Sequence, residues 1–282
     1  FLLNIKLYRE TTRSLSAVAK VVMIMLLTID VGNTHTVIGG YEGDSLQFVW
    51  RMATNKKQTE DEIRATLSSM FFAQHLDCSC VNGVALASVV PQLSMAWKRV
   101  ARDLFHTEAF VCTAEATEGL FRADYPNVHE IGSDRVADAI ASVHLYGAPV
   151  VVVDFGTATN IEVVNKDGLF VGGIIAPGVS TSASALFSYA AKLAATELVD
   201  PGVAIGTSTE TAIQSGIVYG EAGRVDGLVR RIFAQLGYEA PVIATGGLAP
   251  IIAPCSETIT DQNAELTLEG LRLAFNWKEC TK

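Results

Sequence analysis

The sequence predicts an α/β protein of two tandem domains, each built around a mixed central sheet. Three observations lead there. The order strand, strand, strand, helix, strand, helix, strand, helix is completed near residue 146 and then starts again. Each half opens with an apolar strand that ends in an Asp-x-Gly turn, first at Asp30 and again at Asp154, 124 residues later. A chain of 282 residues is also long enough to bury two cores of ordinary size.

In the first half, Leu26 to Val31 reads as a short buried strand that stops at Gly32-Asn33-Thr34. Thr36 to Tyr41 and Leu46 to Met52 follow as strands, joined at Glu42-Gly43-Asp44, so the half begins as a β-meander. Thr59 and Glu62 have the spacing of a capping box, and Ile63, Leu67, Met70 and Phe71 recur at helical intervals, which predicts a helix over 60–76. A strand over Val84 to Val90 is stopped by Pro91. Helices near 92–105 and 135–146 flank a short strand at Ala109 to Cys112.

The second half repeats this opening. Val150 to Asp154, Asn160 to Val164 and Phe170 to Ala176 read as strands, and helices follow around 180–193 and 210–236. A strand at Pro241 to Ala244 leads into Thr245-Gly246-Gly247, and a last helix lies near 267–277. The predicted organisation is an extension over 1–24, a first domain over 25–148 and a second over 149–282. No Pro-rich linker separates the halves, as expected of closely packed domains.

Composition narrows the chemistry. With 21 basic and 30 acidic residues the net charge is −9, and no Lys/Arg-rich run offers a surface to nucleic acid or to an anionic membrane. An anionic ligand must then be met by local backbone amides and a metal ion. Cys78, Cys80, Cys112, Cys255 and Cys280 are an odd number without a C-x-x-C pair, which fits reduced thiols in a cytoplasmic protein rather than disulfides or zinc. The first 24 residues carry Lys6, Arg9, Arg13 and Lys20 against Glu10 alone, ahead of an apolar run too short to span a bilayer. Our reading is that translation starts at Met23 or Met25.

Asp30-Val31-Gly32-Asn33-Thr34 and Asp154 to Thr159 share one layout: an Asp at a strand end, a spacer, a Gly, then hydroxyl or amide side chains before a returning strand. Glycine lets the backbone approach a ligand, amides and Thr hydroxyls can donate to phosphate oxygens, and the Asp can hold a hydrated cation. One such hairpin is ordinary; two, each opening a half, call for a shared purpose. Thr245-Gly246-Gly247, directly after a strand, could let an adenine ring lie flat on the backbone. No G-x-x-x-x-G-K-[ST] is present, so ATP would not be bound through a P-loop.

Together these elements resemble the phosphate-1, phosphate-2 and adenosine segments of the actin-like and hexokinase-like ATPase superfamily, whose domains are ribonuclease-H-like. Within it, Leu26 to Thr34, Ala87 to Pro91, Gly132 to Arg135, Asp154 to Thr159, Gly172 to Gly178 and Thr245 to Gly247 resemble, in order and spacing, type III pantothenate kinases. The resemblance implies ATP-dependent phosphorylation of pantothenate, the first step of coenzyme A biosynthesis. It implies Asp134 as general base, and Tyr125, Gly132, Ser133, Asp134 and Arg135 as the substrate wall. ATP would be held by Asp30, Val31, Gly32, Asn33, Thr34, His35, Thr36, Val37, Thr157, Gly246 and Gly247. Mg²⁺ would sit near Asp30 and a monovalent cation, K⁺ or NH₄⁺, at Asp154. Thr209 would reach the substrate across a homodimer interface.

The residues support parts of this independently. A carboxylate at a glycine-opened helix start, followed by Arg135, can accept a hydroxyl proton while the Arg orients an acidic substrate. The stretch from Ser180 to Leu236 carries apolar residues on more than one helical face, including Leu186, Phe187, Ile213, Ile217, Leu228, Val229, Ile232 and Phe233. Either a deeper helical layer within the chain or a partner subunit must cover them. His129 and His144 have no partner at ligand spacing and read as structural. Other readings left open are a phosphotransferase of the same superfamily with a different acceptor, or a nucleotide-binding relative without turnover.

Overall fold

In the computed structural model, residues 24–190, 193 and 195–281 are described. Of the expected extension over 1–24, residues 1–23, Met23 among them, lie outside that range, whereas Met25 opens the first strand. The strands are β1 (Met25–Val31), β2 (His35–Glu42), β3 (Ser45–Ala53), β4 (Val81–Ser88), β5 (Ala109–Val111), β6 (Val150–Phe155), β7 (Ala158–Val164), β8 (Phe170–Pro177), β9 (Val242–Thr245) and β10 (Asp261–Gln262). They form two five-stranded sheets, ordered β3-β2-β1-β4-β5 and β10-β9-β6-β7-β8. The second order, read backwards, is the first: third strand, second, first, fourth, fifth. In each sheet the first three strands are antiparallel and the last two join in parallel. The repeat seen in the sequence is therefore a repeat of topology, and the fold is two ribonuclease-H-like sheets in tandem.

The helices are α1 (Glu60–Ala73), α2 (Pro91–Phe105), α3 (Ser133–Tyr146), α4 (Val179–Tyr189), α5 (Thr209–Leu236), α6 (Ala249–Ile252) and α7 (Leu266–Cys280). Strand parity then dictates the layers. Leu27, Ile29 and Val31 of β1 pack with α1 and α2 through Phe71, Leu93 and Trp97. Leu26, one residue out of phase, packs with Val136, Ile140 and Leu271 of α3 and α7. In β6, Val151, Val153 and Phe155 face α5 through Val218, Val225 and Val229, while Val150 and Val152 face the α3 side. Helices α3 and α7 thus fill the space between the sheets. By the same period-2 alternation Asp30 and Asp154 both point into this central layer.

Local signals fix the ends. Thr59 and Glu62 form the expected capping box of α1. Ser208 caps α5, and Gly237, in the left-handed region at φ 77°, ends it. Pro91 is the first residue of α2 rather than the stop of a longer β4; the strand ends at Ser88, whose hydroxyl accepts the Val90 N–H at 3.3 Å and starts a turn. Helix α1 ends three residues before the expected 76, and α4 spans 179–189. Helix α6 and β10 are too short to leave a periodic trace. Helix α7, which the sequence reading groups with the second half, lies on the first sheet and against α3. Gly270 meets the Ala137 carbonyl so closely that a Cβ would fall 2.0 Å from that oxygen.

Candidate active site

The ends of β1, β6 and β9 and the start of α3 meet at one point of the central layer. Their acidic groups feel one another. Burial, then the Asp134 and Asp154 carboxylates, push Asp30 well above the usual carboxylate range, with Arg51 opposing. Burial, then Asp134, push Asp154 up to about 7. Asp134 is itself raised by burial, against the Arg135 N–H and guanidinium. Three carboxylates, from residues far apart in sequence, share one site, and such a cluster of raised acids is a signature of a functional centre.

The two hairpins touch. Thr34 Oγ1 and Thr157 Oγ1 are 2.7 Å apart, joining the bend after β1 to the bend after β6. In the first, the Gly32 N–H donates to the His35 carbonyl at 3.0 Å; in the second, the Gly156 N–H donates to the Ala158 carbonyl at the same distance. Asn33, Thr34 and His35 are exposed on the first bend. Val31 and Thr36 point to the outer layer, and the Thr36 hydroxyl lies 2.9 Å from that of Thr54, so both offer the central layer only backbone. Val37 shares the face of Asp30, opposite it in register. The second bend is braced from below, since the Thr181 hydroxyl donates to the Thr157 carbonyl at 2.7 Å. Gly246, at φ 88°, sits where a Cβ would be 2.3 Å from Asp154 Oδ1, and Thr245 is paired with Asp154 across β9 and β6.

Asp134 lies in the first turn of α3. Its helix cap is Gly132, which makes no side-chain cap bond, and Asp134 Oδ1 accepts the Arg135 N–H at 2.8 Å. A Cβ on Gly132 would stand 2.5 Å from that oxygen, so glycine is what leaves room for the carboxylate. Ser133 is buried beside it. The Arg135 guanidinium lies 5.3 Å from the centre of the Phe170 ring, and Tyr125 meets the same ring edge-on at 5.9 Å. Tyr125 and Arg135 therefore belong to one wall.

Several residues that the sequence reading passed over also belong to the site. Arg51 of β3 lies across Val37 on the face of Asp30, and its guanidinium stands over Gly247, where a Cβ would be 2.8 Å from Nη1. Lys56 Nζ donates to Asn33 Oδ1 at 2.9 Å. Asp138, one helical turn beyond Asp134, is buried and accepts the Thr267 hydroxyl at 2.7 Å, tying α3 to α7. Glu162 of β7 is buried and pairs with Arg135 at 3.0 Å. The only sequence signal for Glu162 is a charge inside an otherwise β-forming run.

Thr209 is not brought to this point. It lines a groove of about 740 Å³ between α4 and α5 with Leu186, Ile213, Ile217 and Arg224, a groove that none of Asp30, Asp134 and Asp154 lines. The far half of α5 is accounted for within the chain, because Leu228, Ile232 and Phe233 pack against the core of the second sheet. A second cavity, of about 500 Å³, lies behind Phe170 between α3 and α7 and also excludes the three carboxylates. His144 lines it, and His129 pairs with Glu115 on the surface. The five thiols are free, and burial pushes Cys112 up to about 12. Among the described residues no three His, Cys, Asp or Glu side chains are grouped to hold a metal ion, and no helix is long and apolar enough to cross a membrane.

Comparison with known proteins agrees with this geometry. A solved structure described as a conserved putative Baf family transcriptional activator from Campylobacter jejuni superposes with a TM-score of 0.58 at 16% identity, covering 90% of this chain and 99% of the other, which speaks for the fold alone. The sequence is 44% identical over 252 residues to the type III pantothenate kinase of Roseiflexus castenholzii, covering 89% of this chain and 98% of that one. It is 42% identical over 251 residues to the type III pantothenate kinase of Halalkalibacterium halodurans, with the same coverage. The sequence profile of type III pantothenate kinases matches residues 26–231, which takes in both hairpins, the Asp134 helix and Thr209. The chain belongs to the type III pantothenate kinase family.

Proposed function

We propose that this pantothenate kinase binds ATP between its two hairpins and transfers the γ-phosphate to pantothenate with Asp134 as general base. The observation that carries the reading is the convergence of Asp30, Asp134 and Asp154, with Asp134 held in the first turn of α3 by the Arg135 N–H. The bends bearing Thr34 and Thr157 receive the phosphates, and Gly246 and Gly247 the adenosine. Arg135 and Tyr125 orient pantothenate through its carboxylate. Asp134 accepts the proton of the substrate hydroxyl as its oxygen attacks the γ-phosphorus; the bond to the bridging oxygen breaks and ADP leaves.

The site is suited to cations bound with the nucleotide. Hard cations take oxygen donors, and beside Asp154 the buried Asn160 Oδ1, paired in register with Asp154, has no hydrogen-bond partner among the described residues. Asp154 and Asn160 would hold K⁺ or NH₄⁺, and Asp30 would hold Mg²⁺ through water. These ions supply neutralisation of the phosphate charge. Activity requires ATP and Mg²⁺ with pantothenate and rises with potassium or ammonium; failure of the purified protein to form 4′-phosphopantothenate under those conditions sinks the reading.

The acting form is a homodimer in which Thr209 completes the partner's substrate site. Support comes from the groove between α4 and α5 and from the exposure of Leu186, which lines it, and of Tyr189, the last residue of α4. Mixing Asp134→Asn and Thr209→Ala chains restores activity that neither parent has if the site is shared; no restoration after proven subunit exchange rejects it.

A further inference from the structure

We propose that Glu162 is the positioning residue of the pantothenate carboxylate site, holding Arg135 in the orientation that selects an anionic substrate. The inference rests on the reading of Arg135 as the substrate's anion contact. It starts from an anomaly. Glu162 is 0% exposed, Oε1 accepts the Arg135 Nε–H at 3.0 Å, and Oε2 has no hydrogen-bond partner among the described residues. A buried carboxylate with an empty oxygen is a costly way to fill space, and a neutral side chain of the same size would pack there more cheaply.

The surroundings explain the cost. The Phe170 ring lies 5.3 Å from the guanidinium carbon. Gly173 stands opposite Glu162 in β8, where a Cβ would fall 2.8 Å from Arg135 Nη2 and 1.9 Å from the Ile161 carbonyl. Carboxylate, ring and bare backbone form a cradle that fixes the guanidinium by its Nε edge. The Nη groups are not spent on Glu162 and stay available as a pair of donors to a carboxylate. Because the Arg135 N–H also binds Asp134 Oδ1, the substrate's anion and its reacting hydroxyl are referred to one rigid piece of α3.

A plain staple between α3 and β7 would show the same ion pair, so the test must separate staple from positioning. In the full-length chain with saturating ATP, Mg²⁺ and K⁺, steady-state kinetics are compared for pantothenate and for pantothenol, in which a hydroxyl replaces the carboxylate. Burial pushes Glu162 up to about 8 against the opposing Arg135 guanidinium, so the comparison is made at a pH above that value, where Glu162→Gln keeps the volume and removes the charge. The expected result is a KM for pantothenate raised roughly 10–100-fold, with kcat and the KM for ATP within about threefold. Inhibition by pantothenol and the melting temperature stay near wild type. Phe170→Leu, which removes the ring under the guanidinium, moves the acid-to-alcohol preference the same way. Equal losses for the acid and the alcohol, an unchanged pantothenate KM, or a fall in melting temperature and kcat alone in both variants would overturn the proposal. Wild-type turnover of pantothenate is read first. Its absence sinks the functional reading and this inference together; with turnover present, the preference ratio decides the inference by itself.

Discussion

The two hairpins are copies in topology, and burial raises the aspartate of each, but their charged neighbours differ. Asp30 ends β1 beside Arg51, which opposes the acid's neighbours, and Lys56 leans on Asn33 of the same bend. Asp154 ends β6 at the equivalent place, yet the influences that set its protonation are burial and Asp134, both unfavourable to its charge. The first bend is open, with Asn33, Thr34 and His35 exposed; the second is clamped by Thr181 and backed by Gly246. One bend therefore has cationic side chains of its own, and on the proposed reading the other takes a cation from solution.

Asp134 stands between them, and its replacement has the largest expected effect. Asp134→Asn lowers kcat roughly 10²–10⁴-fold while ATP binding persists, as followed by product formation and nucleotide titration. Burial holds Asp134 above the ordinary carboxylate value, so its charge is lost on acidification earlier than that of an exposed aspartate. kcat/KM accordingly falls as pH drops through that raised value, and the Asn variant lacks this limb. A full-rate Asn variant would leave the hairpins without a chemical centre.

Arg51→Gln breaks the first hairpin's private cation supply. The KM for ATP rises roughly tenfold, as expected for losing a charged contact, while activation by potassium is retained. Equal sensitivity of both hairpins to potassium in that variant would erase the distinction drawn above. Gly246→Ala sharpens it from the other side. The added methyl meets Asp154 Oδ1 and the Phe155 backbone at a φ of 88°, whereas Gly43, at φ 58°, has nothing within 4 Å. Gly43→Ala should cost about 1 kcal/mol in denaturant unfolding and leave ATP binding alone; Gly246→Ala should cost roughly 2–3 kcal/mol and weaken ATP binding with it. Lys56→Ala, an exposed contact, changes the KM for ATP by less than about threefold.

Legibility in the sequence followed how local the cause was. Asp30, Asp154 and Gly246 announce themselves because strand end, turn and glycine are neighbours in the chain. Asp134 is marked by Gly132 and Arg135 beside it. Arg51 looks like any solvent-facing residue of a strand, and its meeting with Gly247 depends on the relation of two sheets separated in sequence. Glu162 sits two residues from Asn160 in β7, a pattern that reads as a wet face until the sheet order places α3 over it. The return of α7 to the first sheet was also hidden. Gly270, a glycine within a helical pattern, is its one trace, and it marks close packing against Ala137. Thr209 lies apart from the carboxylates in one chain, and the role proposed for it rests on a second subunit.

The claim that the second hairpin borrows its cation is tested most directly by the initial rate of 4′-phosphopantothenate formation against potassium concentration, at constant ionic strength, for wild type and Asp154→Asn. The account predicts saturable activation in the wild type and a low, flat response in the variant. Full wild-type activity in a buffer free of potassium and ammonium, or an unchanged potassium response in Asp154→Asn, would contradict it.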